Sequence, residues 1–93
     1  MATKPAQPDE EARDQALRAE RQAAVITAFV MRALGRPPDL FRVTVARLWG
    51  NRFRVNVQTG TDVVSARIAH SYFLAVDESG QVIASDPAIA RKY

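Results

Sequence analysis

The segment Gly35-Arg36-Pro37-Pro38 constrains this chain more than any other feature, because the hydrophobic period changes across it. Ahead of the break, apolar residues recur at helical spacing. After it they alternate, as strands do. A fold that mixes one helix with a sheet follows, with the two kinds of structure segregated along the chain.

The helix is expected over about residues 9–34. Asp9, Glu10, Glu11 and Asp14 cluster where the helix dipole favours anions, and Arg32 and Arg36 lie where it favours cations. Gly35 suits the left-handed position just past a helix end, and Pro37 cannot continue a helix. The inward stripe runs Ala12, Ala16, Ala19, Ala23, Ile26, Val30, Ala33, with Phe29 and Leu34 thickening its second half. Alternating steps of four and three make this a heptad seam whose first half is alanine. At 1.5 Å per residue such a helix is about 40 Å long, more than the width of four strands spaced at about 4.8 Å. Its N-terminal half is therefore expected to project, to pair with another chain, or to fray.

Beyond the break, strands are expected over about 41–49, 52–59, 63–76 and 81–86. Phe41, Val43 and Val45 share one face of the first, opposite Arg42, Thr44, Ala46 and Leu48. Gly50-Asn51 is a two-residue hairpin signal. The second strand alternates most clearly, with Phe53, Val55 and Val57 inward and Arg52, Arg54, Asn56 and Gln58 outward. Residues 63–76 are too many for one regular strand, which predicts a bulge near Ala69-His70. Asp77-Glu78-Ser79-Gly80 reads as the last hairpin turn, with glycine where a positive φ is needed, and Pro87 ends the last strand. The expected architecture is α+β: a flexible arm over residues 1–8, then a single domain over 9–93 in which a long helix packs on a four-stranded antiparallel meander, cystatin-like by topology only.

Composition narrows the classes of function. A length of 93 residues with 47% hydrophobic and 25% charged content suits one small folded domain with a modest core. There is no cysteine, so disulfides, thiolate metal sites and cysteine nucleophiles are excluded, and a cytoplasmic setting is expected. The longest apolar stretch, Ala23 to Met31 with Thr27 inside it, is too short to span a bilayer. The net charge of +3 is unevenly spread: residues 32–67 hold seven arginines against Asp39 and Asp62, while the segments on either side are each net −1.

No catalytic, cofactor or metal motif emerges. His70 is the only histidine, and Ser71 beside it is expected on the opposite strand face, which works against a Ser-His pair. One histidine and no cysteine cannot close a soft metal site. Asp77-Glu78-Ser79-Gly80 lacks the alternating acids of a calcium loop. Two surfaces remain as candidates. The first is an interface formed by Ala12, Ala16 and Ala19 of the helix with Leu48 and Trp49 of the first strand. The second is a basic surface of Arg42, Arg52, Arg54 and Arg67 on the sheet face opposite the helix. The expected function is a small non-catalytic interaction module that self-associates as a homodimer or binds another protein, without a cofactor or small-molecule ligand. The alternative is sequence-tolerant nucleic-acid binding through the arginine-rich face.

Overall fold

Ile26, Val30 and Leu34, all at 0% exposure, mark the stretch of helix that meets the sheet. They belong to helix α1, Pro8–Leu34, in a computed structural model that describes residues 8–93, with side chains from Glu10 onward. The arm expected over residues 1–8 lies outside the described residues apart from Pro8, which opens the helix. Four strands follow, β1 (Leu40–Trp49), β2 (Arg52–Thr59), β3 (Arg67–Val76) and β4 (Val82–Asp86). They form one antiparallel sheet in the order β1-β2-β3-β4. The fold is α+β, a single helix on one face of a four-stranded meander.

The core is the alternate set of β2 and β3 side chains, Phe53, Val55, Val57, Tyr72, Leu74 and Val76, closed by the three helix residues. Burying each such side chain contributes about 1.5–3 kcal/mol. Phe29, expected to thicken the seam, lies on the helix flank and stays 37% exposed, while Met31 packs against the core instead. The helix ends where the sequence indicates. Gly35 has φ 89°, and its N–H reaches Met31 O at 2.9 Å, the single-bond left-handed cap. The carbonyl of Leu34, which has no partner within the helix, accepts the N–H groups of Lys92 (2.8 Å) and Tyr93 (3.1 Å), which seal the helix end.

Three irregularities re-aim side chains that strict alternation places elsewhere. In β1 a register shift between Leu40 and Arg42 makes Phe41 the extra residue, and Leu40 rather than Phe41 packs on the core. A second shift between Arg47 and Trp49 leaves Leu48 unpaired and sets Trp49 opposite Arg52. In β3 the expected bulge is present. His70 pairs with Val57 and Ile68 with Gln58, which leaves Ala69 extra. Because the strand period is two, one inserted residue exchanges the faces of everything before it. Arg67 consequently lies opposite buried Thr59, on the helix side of the sheet, and does not join Arg42, Arg52 and Arg54.

β3 also starts later than expected, because residues 63–66 are not strand. Asp62 Oδ1 accepts the Ser65 N–H at 2.8 Å, and Ser65 Oγ accepts the N–H groups of Thr61 (3.1 Å) and Asp62 (3.2 Å). Ala66 N–H then reaches Asp62 O at 2.9 Å. These local bonds hold one helix-like turn against the strand propensity of Val63 and Val64, which end up 79% and 95% exposed.

The helix outruns the sheet. Gln22 Nε2 donates to Gly80 O at 3.0 Å, so α1 crosses the β3–β4 turn at Gln22. Every described side chain from Glu10 to Arg21 is exposed, and the molecule extends 60 Å along its longest axis against 32 and 18 Å along the others.

Candidate functional site

Strand register assigns the uncovered face of the sheet. Arg42, Thr44 and Ala46 of β1 pair with Gln58, Asn56 and Arg54 of β2, and Asn56 and Arg54 pair in turn with Ser71 and Phe73 of β3. Side chains directly opposite in antiparallel strands share a face. No helix covers this one. It carries three arginines, Arg42, Arg52 and Arg54, and three large apolar side chains that a single chain leaves in solvent: Trp49 (68% exposed), Ile68 (53%) and Phe73 (49%). The Arg54 guanidinium carbon lies 5.3 Å from the Phe73 ring centroid, and that of Arg42 lies 5.5 Å from the Phe41 ring, both within cation–π range. Hydrogen bonds from Arg42 Nε to Gln58 Oε1 (3.2 Å) and from Ser71 Oγ to Asn56 Oδ1 (2.6 Å) tie the face together across three strands.

The other half of the expected interface lies on the projecting helix. Ala12, Ala16 and Ala19 are exposed and continue the line of Ala23, Ile26 and Val30 past the end of the sheet. The structure does not bring them together with Leu48 and Trp49 as one patch: Ala19 faces the helix side of the molecule, whereas Trp49 pairs with Arg52 on the uncovered face.

Where the helix leaves the sheet, an open cleft of about 700 Å³ forms between its inner side and the β1–β2 hairpin. Arg18, Ala19 and Gln22 of α1 form one wall, Arg47, Gly50 and Asn51 the other, and Val45, Phe53 and Val76 the floor. Arg47 faces this way because it pairs with Phe53, whose side chain is in the core. Its Nε donates to Gly50 O at 2.9 Å, which ties the guanidinium to the hairpin. Neither Arg18 nor Arg47 was expected to matter from the sequence. The available signal was that Arg47 follows Val43 and Val45 on the apolar parity of β1.

His70 sits half-buried at the other end of the sheet, stacked 6.4 Å from Tyr72 and edge-on to Tyr93, with Nε2 2.9 Å from Tyr93 Oη. Burial, and secondarily the charge of Lys92, lowers its proton affinity below that of an ordinary imidazole. Ser71 points to the opposite face, where it bonds Asn56. Asp77 is held below the usual carboxylate range by hydrogen bonds, first from the Ser79 hydroxyl and then from backbone N–H groups of the turn. Its Oδ1 accepts Ser79 N–H (2.9 Å), Ser79 Oγ–H (2.7 Å) and Gln81 N–H (2.9 Å). Turn geometry accounts for that acid.

No helix among the described residues is long and apolar enough to cross a membrane. No protein-family model, curated protein or solved structure matches this chain.

Proposed function

We propose that this protein is a non-catalytic interaction module that self-associates, using the uncovered sheet face and the projecting half of α1 as its contact surfaces. The observation that carries the reading is the exposure of Trp49, Ile68 and Phe73 on one sheet face that the single helix cannot reach. Exposed aromatic side chains with arginines beside them suit interfaces, where both residue types are enriched. The alanine line Ala12, Ala16, Ala19 offers a second surface on which another helix can approach closely. With no cysteine to oxidise, the module suits a reducing, cytoplasmic setting.

Sedimentation equilibrium over a concentration series tests this. Self-association weakened by Trp49→Ser with Phe73→Ser, or by Ala16→Glu with Ala19→Glu, supports the reading and assigns the surface. A monomer at all concentrations, unaltered by either pair of changes, ends it.

A second reading, sequence-tolerant binding of nucleic acid, is favoured by one observation: the Arg54–Phe73 stack, with Trp49 opposite Arg52, supplies the aromatic-plus-basic pairing that single-strand binders use. It rests on Arg42, Arg52 and Arg54 and no longer on Arg67. Anisotropy of labelled DNA and RNA across a salt series, with Arg52→Glu and Arg54→Glu as control, separates it from self-association, since phosphate contacts make affinity fall steeply with salt.

A further inference from the structure

The cleft beneath the projecting helix differs in chemistry from the sheet face and lies on the other side of the molecule. Its volume of about 700 Å³ is within the range of small-molecule sites, roughly 300–1,000 Å³. Among the described residues, the charged side chains that line it are Arg18 and Arg47, one on each wall, with no carboxylate between them. Below them the floor is valine and phenylalanine. A site with cationic rims and an apolar floor selects a molecule of matching polarity, a negative head joined to an apolar body.

We infer that this cleft binds an amphiphilic anion of the aliphatic carboxylate class, its head held between Arg18 and Arg47 and its chain laid over Val45, Phe53 and Ala23. Two structural details support the head position. The bond from Arg47 Nε to Gly50 O fixes that guanidinium against the hairpin while its terminal N–H groups remain to grip a carboxylate. Arg18 stands one turn before Gln22, whose side chain is fixed on Gly80 O, so both walls are anchored to turns of the same sheet end. The chain position follows from the lining: half-buried Val45, with Phe53 and Val76 at 8% and 5% exposure, forms the apolar floor. An aliphatic chain placed there would remove that surface from water.

Isothermal titration of the whole chain with dodecanoate below its micelle concentration tests the inference, with dodecyltrimethylammonium as the cationic counterpart. Dodecanoate is expected to bind and the cation not to. Arg18→Gln or Arg47→Gln should each weaken dodecanoate binding by about tenfold, the loss of one charge-assisted hydrogen bond. Arg52→Gln with Arg54→Gln, on the opposite face, should leave it unchanged. Because both cleft arginines are exposed, their variants keep the fold, which far-ultraviolet circular dichroism verifies. Amide shifts of Gly50 and Asn51 on titration of the unmodified protein give an independent readout. Absence of binding overturns the inference, as does equal binding of the cation. Binding lost in the Arg52, Arg54 variant but kept in the cleft variants also overturns it, by moving the ligand to the sheet face. Sedimentation of the same variants reports self-association separately, so failure of either proposal leaves the other testable.

Discussion

Gly80→Ala tests where the helix rests on the sheet, and therefore where its projecting half and the cleft begin. Gly80 has φ 87°, a left-handed conformation that costs a residue with a Cβ about 1–2 kcal/mol. A methyl there would also lie 2.8 Å from Gln22 Oε1, too close for a carbon–oxygen contact. The amide must swing away, which breaks the 3.0 Å bond from Gln22 Nε2 to Gly80 O. That bond contributes about 0.5–1.5 kcal/mol. Gly80→Ala should therefore destabilise the protein by about 1.5–3.5 kcal/mol, the sum of strain and lost contact. In a Gln22→Ala background the contact is already gone, so the same change should cost only the strain, about 1–2 kcal/mol. The difference, a coupling of about 0.5–1.5 kcal/mol, is read from a double-mutant cycle of urea titrations. If Gly80→Ala costs the same in both backgrounds, helix and turn do not touch in solution. The seating of α1 described above would then be wrong.

Other outcomes follow from the same packing. Ile26→Ala empties a fully buried site and should cost about 2–5 kcal/mol, which for a domain of this size lowers the melting temperature by roughly 4–8 °C per kcal/mol. In the dilute monomer, truncation of Ala16 or Ala19 to glycine should act on stability through helix propensity, about 1 kcal/mol at most, since both side chains are exposed. In the 61–66 turn, Ser65→Ala should cost about 1 kcal/mol through its lost hydrogen bonds to Thr61 and Asp62. Val64→Ser beside it, at 95% exposure, should cost less than about 0.5 kcal/mol, and the reverse ranking in a thermal melt would mean that residues 63–66 are strand after all. His70 carries a pH signature. Its proton affinity is lowered in the fold, so the unfolded chain binds that proton more tightly and stability rises with pH across the window. The contribution is complete above the ordinary value of 6.5 and is lost as pH falls through it toward the lower folded value. His70→Gln should flatten the melting temperature across that interval, and an unchanged slope would show that His70 is not responsible for it.

Much of this architecture was legible along the chain because local chemistry specifies it. Gly35 and Pro37 end α1 whatever surrounds them, Gly50-Asn51 turns β1 into β2, and the alternation Phe53, Val55, Val57 requires a sheet with one apolar face. The bulge at Ala69 could be anticipated from length. Its consequence could not, since the placement of one extra residue decides on which face Arg67 emerges. The Asp62–Ser65 turn was missed because propensity alone favours extending Val63 and Val64, and only the paired side-chain bonds outweigh it. The candidate surfaces divide in the same way. Arg42, Arg52 and Arg54 could be grouped from strand period, but the alanines of α1 and Trp49 could not be shown to lie on different sides of the sheet.

The sequence by itself determined the kinds of element, their order and the alternating core of β2, because hydrophobic period and turn chemistry act within a few residues. The tertiary structure decided how far along α1 the sheet extends, which side of the sheet each bulged residue faces, and that Arg18 and Arg47 line one cleft. Those depend on register and on helix–sheet placement, and both are set by contacts between residues far apart in the chain, such as Gln22 with Gly80 and Arg67 opposite Thr59.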